Sequence, residues 1–466
     1  MKMFSAETYK QRREGLKKQL SSGIVLFMGN EEVGMNFKDN VYHFRQDSSF
    51  LYYFGIDVPG LVGIMDLDEG TEIIFGNELS IDDIVWTGPL PTIAELAANA
   101  GVSQTRPTTH IEEILKTAKA QQRTIHFLPP YRSVNKQKIQ AWLEIHPEQQ
   151  AQEASVELIK AVVAQREIKS EEELQEIDKA VNITSEMHLT AMKGAKPGLI
   201  ESQLTGLVHG KAISGGGDLS FPIILTVNGQ VLHNHYHGNT LKEGQMVLCD
   251  CGAEAPSHYA GDMTRTFPVG KQFTERQREL YQIVIDAHEA AVAALKPGVR
   301  FKDIHLLACK TLAEGLKGVG LMKGDVEEAV NQGAHTLFFQ CGLGHMMGLD
   351  VHDMEDLGEQ YVGYDESLKK STEFGLKSLR LGKALQKGFV VTVEPGIYMI
   401  PELIDMWKSE GKYADFVNYD KVETYKDFGG IRVEEDFVIT GNGADLLGTP
   451  VAKSVSEVEA VRASSF

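Results

Sequence analysis

The sequence predicts two domains of mixed class: an α/β domain at the N-terminus, then a larger α+β domain built as two similar halves around a pseudo-two-fold. Three observations carry this. The chain of 466 residues is too long for one ordinary core. Its first 165 residues or so alternate short apolar runs with helical stretches. Beyond them, one helix-plus-strand pattern occurs twice. The expected domains are residues 1–165 and 166–466.

The N-terminal stretch Met1 to Leu20 reads as a polar, Lys/Arg-rich helix. Gly23-Ile-Val-Leu-Phe27 and Leu61-Val-Gly-Ile-Met-Asp-Leu67 read as buried strands, followed by Glu72–Phe75 and Arg123–Leu128. Thr92 to Ala100 and Ile111 to Ala120 have helical spacing. A further helix runs from Val156 to Gln165. Ser170 followed by Glu173 forms a capping box, so a new helix and a new domain begin there.

The repeat lies in the second domain. Ala191-Met-Lys-Gly-Ala-Lys-Pro-Gly198 closes one helix, and Ala291-Val-Ala-Ala-Leu-Lys-Pro-Gly298 closes another 100 residues later. Lys242-Glu-Gly-Gln-Met-Val-Leu-Cys-Asp250 likewise resembles Gln386-Lys-Gly-Phe-Val-Val-Thr-Val-Glu394. In each copy a glycine turn opens a strand that ends on a carboxylate. Two halves that meet at a central site follow from this pattern.

Composition narrows the function. Lys+Arg number 46 against 65 Asp+Glu, a formal charge of −19, which offers no footprint for nucleic acid or an anionic membrane. No apolar run of membrane-spanning length and no signal-peptide pattern is legible. Four cysteines make no disulfide framework, and a reducing cytoplasm is expected.

The chemistry-bearing residues are acids on strands. Asp250 ends the apolar run Met246–Asp250, where an unpaired carboxylate is costly. Asp262, in Tyr259-Ala-Gly-Asp-Met-Thr-Arg-Thr-Phe267, lies on the expected return strand of a hairpin. Such neighbours repel unless a cation lies between them. Glu394 and Glu434 repeat the arrangement in the second half. His345 sits among glycines 342, 344 and 348, which permit close backbone approach. Four carboxylates and one imidazole form a hard ligand set suited to Mn²⁺, with Co²⁺, Fe²⁺ or Zn²⁺ able to substitute. Two ions about 3.5–4 Å apart are the economical arrangement for that many side chains. Cys249 and Cys251 alternate with Asp250 and point away from it, so they read as packing residues. Ser214-Gly-Gly-Gly-Asp218 lacks the Lys-Ser/Thr of a phosphate loop and reads as a turn.

At these residues the sequence resembles the pita-bread metallopeptidases, specifically the aminopeptidase P and prolidase group. Tyr259–Pro268, Gly342-Leu-Gly-His-Met-Met-Gly-Leu-Asp-Val-His-Asp353, Val393-Glu-Pro-Gly-Ile-Tyr398 and Gly429-Gly-Ile-Arg-Val-Glu-Glu-Asp436 carry the likeness from about Ile168 to Thr440. His43-Phe-Arg-Gln-Asp-Ser-Ser-Phe-Leu-Tyr-Tyr-Phe-Gly55 resembles the start of a creatinase-type N-terminal domain. The resemblance implies a creatinase-like α/β domain ahead of a pita-bread catalytic domain. It implies two Mn²⁺ ions on Asp250, Asp262, His345, Glu394 and Glu434, with Asp262 and Glu434 bridging and with His233, His352 and Arg432 beside them. It also implies a peptide substrate with proline at the second position, and a homodimer. Glu394 is then the proton carrier, and His233 or His352 meets the oxyanion. Gly375-Leu-Lys-Ser-Leu-Arg380 is similar to the prolidase segment whose arginine grips a dipeptide's carboxylate, which favours prolidase over aminopeptidase P. One departure stands out: the family has His-Gly-x-x-His where this chain has Cys341-Gly-Leu-Gly-His345. A thiol is smaller and a poorer donor than imidazole, so reduced turnover or altered metal preference is expected.

Overall fold

The computed structural model describes residues 4–466, so Met1–Met3 of the expected first helix lie outside the described residues. That helix spans Ala6–Lys17, with the Ser5 hydroxyl capping the Thr8 amide. The chain divides into two compact units: residues up to Arg166 together with Met354–Tyr361, and Glu167–Asp353 together with Val362–Phe466.

The first unit is built on a five-stranded mixed sheet. Its strands are β1 (Ile24–Met28), β2 (Val62–Asp66), β3 (Thr71–Phe75), β4 (Gln104–Arg106) and β5 (Ile125–Phe127). Their order is β4-β3-β2-β1-β5, with β1, β2 and β3 antiparallel and the two outer pairs parallel. The expected helices form at Ile93–Asn99 and Ile111–Ala120. The short β4 strand and the helix Ser133–Leu143 have too little periodicity to be read in advance.

The second unit repeats a pattern of paired helices and antiparallel strands. Glu171–Gly194 begins at the Ser170/Glu173 capping box and is followed by Glu201–Ser214. Their counterparts are Glu275–Ala294 and Phe301–Gly318. One sheet has the order β6 (Ile224–Thr226), β7 (Met246–Cys251), β8 (Met263–Pro268). In the other half β9 (Val390–Val393) pairs with β12 (Glu435–Ile439), which pairs with β13 (Ala444–Leu446). Strands β10 (Gly396–Tyr398) and β11 (Gly430–Arg432) form a separate antiparallel ribbon.

The halves join through main chain. Thr264 at the start of β8 bridges Glu434 between β11 and β12, with the Glu434 amide donating to the Thr264 carbonyl at 3.1 Å. The β7–β8 register sets Asp250 opposite Thr264 and Cys251 opposite Met263. Asp262 therefore sits in the turn just ahead of β8 rather than in the strand itself. Among the described residues, no helix is long and apolar enough to cross a membrane.

Candidate metal centre

The two halves deliver their acids to one place: Asp250 lies within β7, paired on both sides, whereas Asp262, Glu394 and Glu434 stand just outside strands. Asp250 comes from β7, Asp262 from the β8 turn, Glu394 from the end of β9 and Glu434 from the gap before β12. His345 arrives on the loop 341–353, held against β9 by three hydrogen bonds around Gly344 and a fourth from the Met347 amide to the Val390 carbonyl at 3.0 Å. The Glu394 amide donates to the Leu343 carbonyl at 2.7 Å and the Thr392 amide to the His345 carbonyl at 3.1 Å. The His345 amide donates to the Thr392 hydroxyl at 3.2 Å. Gly344 makes this approach possible: a Cβ there would stand 2.1 Å from the Thr392 carbonyl oxygen.

The side chains converge in the same way. Ligand-capable atoms of Asp262, His345 and Glu434 all lie within 4.8 Å of one another, and all three residues are buried. His345 Nε2 stands 3.4 Å from Asp262 Oδ2 and 3.7 Å from Glu394 Oε1. His345 Nδ1 lies 3.0 Å from the Met346 carbonyl, which accepts its proton and leaves the Nε2 lone pair facing the acids. Arg432 donates from Nη2 to Asp250 Oδ2, from Nη1 to the Tyr398 hydroxyl at 2.9 Å and from Nε to the Thr264 hydroxyl at 3.1 Å. Thr264 in turn donates to Glu434 Oε2 at 2.7 Å.

The electrostatics fit a cation. Burial, then the charges of Asp250, Asp436 and Glu394, hold the Asp262 carboxyl well above the usual range. Burial, then Asp262 and Glu394, does the same to Glu434. Burial also raises Glu394, against the pull of His345 and Arg432. Asp262 Oδ1 and Glu434 Oε1 are buried and have no hydrogen-bond partner among the described residues. Divalent cations supply the missing partner to both oxygens and relieve the mutual repulsion, so this donor set fits such ions.

A cavity of about 600 Å³ opens over the cluster. Its lining includes Asp250, Asp262, His345, Glu394 and Glu434, and also His233, His352, Arg380 and Arg432. All nine residues singled out in the sequence thus meet in one place. The His352 ring packs edge-on against His345, with centroids 4.3 Å apart. Arg380 follows a single turn of 3₁₀ helix at Leu376–Ser378. An apolar wall of Phe221, Pro222, Ile224 and Leu232 lies across the same cavity. Cys341 also lines it, with its thiol pushed up to about 12 by burial and by Glu394. It therefore stays protonated where an imidazole would titrate near neutrality.

Three contributors were not singled out. Asp436, fully buried on β12, accepts the Asp262 amide at 3.0 Å and so fixes that turn. Its place two residues after Glu434 is the signal that was available. Tyr398 and Thr264 lie inside recognised motifs and orient Arg432 and Glu434. His235 also lines the cavity, whereas His237 does not and instead lies 3.1 Å from the Ile223 carbonyl.

An acid-rich cavity holding an imidazole, between two half-domains of this topology, defines a metal-dependent hydrolase. Comparison with known proteins specifies which. The family model for metallopeptidase family M24 matches residues 175–441, and that for the aminopeptidase P N-terminal domain matches residues 9–126. The chain is 32% identical to human Xaa-Pro dipeptidase over 466 residues, covering 95% of this chain and 89% of that one. Among solved structures, Zn-substituted Escherichia coli aminopeptidase P in complex with product superposes with a TM-score of 0.80 at 28% identity, over 99% of both chains. Pseudomonas aeruginosa aminopeptidase PepP gives 0.81 at 25% identity, covering 100% of this chain and 99% of that one. The chain belongs to metallopeptidase family M24, with a pita-bread catalytic domain behind an aminopeptidase P-type N-terminal domain, and it is a metallopeptidase that uses divalent metal ions.

Proposed function

We propose that this enzyme removes the residue preceding proline from short peptides, with Xaa-Pro dipeptides as its preferred substrates and two Mn²⁺ ions as its cofactors. The observation that carries the reading is the cavity lining, where an acid cluster faces three groups able to hold a peptide: His233, His352 and Arg380. Asp250, Asp262, His345, Glu394 and Glu434 would hold the ions. Bound there, the ions supply Lewis-acid polarisation and a nucleophilic water near neutral pH.

The chain's own residues do the rest. Glu394 takes the attacking water's proton and returns it to the departing proline nitrogen. His233 or His352 donates to the oxygen that becomes negative in the transition state. Arg432 holds Asp250 in place from behind. Arg380 grips the carboxylate that a dipeptide carries immediately after proline, which limits substrate length. The domains are taken as 1–165 and 166–466, the protein as a cytoplasmic homodimer.

Human Xaa-Pro dipeptidase, as a relative over nearly the whole chain, supports the dipeptide preference. The likeness to aminopeptidase P over 99% of both chains favours a second reading, cleavage of longer peptides. An Xaa-Pro dipeptide compared with an Xaa-Pro-Xaa tripeptide under Mn²⁺ separates them. The expected result is a higher kcat/KM for the dipeptide. Arg380→Ala should lower that value by about 10–100-fold, the loss of one charge-assisted contact. A preference for the tripeptide establishes the second reading, and cleavage of neither peptide removes both.

A further inference from the structure

On the far face of β7 a second group of ligand-type side chains converges. Cys249 and Cys251 alternate with Asp250 and point into the layer between the strand and the helix Glu171–Gly194, from which His188 projects. Ligand atoms of the three residues all lie within 4.8 Å of one another. The two sulfurs are 3.7 Å apart, and Cys251 Sγ is 3.4 Å from His188 Nε2. All three residues have no solvent exposure.

Two of these separations match edges of a coordination tetrahedron, and the Cys249–His188 pair lies within 4.8 Å. Zinc–sulfur bonds of about 2.3 Å and zinc–nitrogen bonds of about 2.0–2.1 Å give, at tetrahedral angles, edges of about 3.8 Å for S···S and about 3.5 Å for S···N. The same imidazole nitrogen lies 3.2 Å from the Cys251 carbonyl, a hydrogen bond that ion binding would replace. A disulfide fits less well, because residues two apart on an extended strand hold their Cα atoms near the upper limit of about 6.8 Å for that bond.

We propose that His188, Cys249 and Cys251 form a buried, three-ligand site for one thiophilic divalent ion, zinc, distinct from the oxygen-rich centre on the opposite face of the same strand. Soft sulfur and imidazole donors select zinc, whereas the carboxylate cluster suits harder ions. On binding, both thiols release their protons to solvent, and two thiolates balance the ion's two positive charges. The buried unit is therefore neutral, which keeps its desolvation cost low. Its role is to clamp β7 to the helix behind it.

Because the site is sealed, zinc enters during folding, and the protein purified from zinc-supplemented cells is the sample to measure. After exchange of the cavity's ions for Mn²⁺ by dialysis, about one zinc per chain should remain. Its X-ray absorption spectrum should show sulfur neighbours at about 2.3 Å. Cys249→Ser and Cys251→Ser should each lose this zinc and keep their Mn²⁺. Protein free of zinc, or zinc with oxygen and nitrogen neighbours alone, overturns the proposal and leaves a hydrogen-bonded thiol pair. Should either variant fail to fold, the wild-type spectrum decides by itself.

Discussion

Replacing Gly344 by Ala tests how the histidine loop is held against β9. The added Cβ would stand 2.1 Å from the Thr392 carbonyl oxygen. Non-bonded contacts settle near about 3.5 Å, so loop and strand must part by more than an ångström. That separation breaks the two main-chain bonds linking Leu343 and His345 to β9, and the His345 amide bond to the Thr392 hydroxyl. Three hydrogen bonds at about 1 kcal/mol each, with about 1–3 kcal/mol of overpacking strain, place the loss at about 4–6 kcal/mol. The same movement displaces His345 and Glu394 together, so Mn²⁺ content and Xaa-Pro hydrolysis should fall with stability. Urea unfolding, metal analysis and a peptide assay on one preparation measure all three. Gly210→Ala is the control. It lies within the helix Glu201–Ser214 with nothing within 4 Å of its added Cβ, and should stabilise by about 0.5–1 kcal/mol. A Gly344→Ala enzyme with wild-type midpoint and activity refutes the reasoning, since no conformation of alanine removes that clash.

Three further outcomes are expected. Glu394→Gln should keep the fold and lose hydrolysis by several orders of magnitude; retained turnover sinks its proton-carrying role. Cys341→His introduces the histidine that the resemblance implies and should raise turnover or change the order of activating metals, with identical kinetics under Mn²⁺, Co²⁺ and Zn²⁺ counting against any role for position 341. Stability should also fall in mild acid through His305 and His335, which burial pushes down to about 3 and about 4. Both lie below the unfolded value of about 6.5, so the unfolded chain binds more protons in that window. Their contribution is complete above about pH 6.5 and is lost as pH falls, at up to about 1.4 kcal/mol per unit for each group. His305→Leu should therefore show a shallower loss between pH 7 and pH 5 in urea titrations, and curves parallel to wild type exclude this cause.

Sequence by itself determined the elements and most of the chemistry. The capping box at Ser170, the twice-used Lys-Pro-Gly helix ending and the glycine-to-acid spacing on two strands are local patterns, and local patterns survive in one dimension. They yielded the two-half architecture and every acid now found around one cavity. The resemblance added His233, His352, Arg380 and Arg432, which periodicity does not mark. The position of Asp262 in a turn rather than a strand turned on where hairpin pairing stops, which alternation of residues does not resolve.

Other relations were decided only in three dimensions. Thr264 meets Glu434 across 170 residues, and the Asp436 carboxylate reaches the Asp262 amide across 174. Such pairs join only when both halves fold, so neither segment carries a sign of its partner. The same holds on the other face of β7. Cys249 and Cys251 read correctly as turned away from Asp250, but that His188 meets them there depends on how a helix 63 residues distant in sequence from Cys251 packs beneath the strand. Strand alternation assigned each side chain a face; packing alone decided what that face touches.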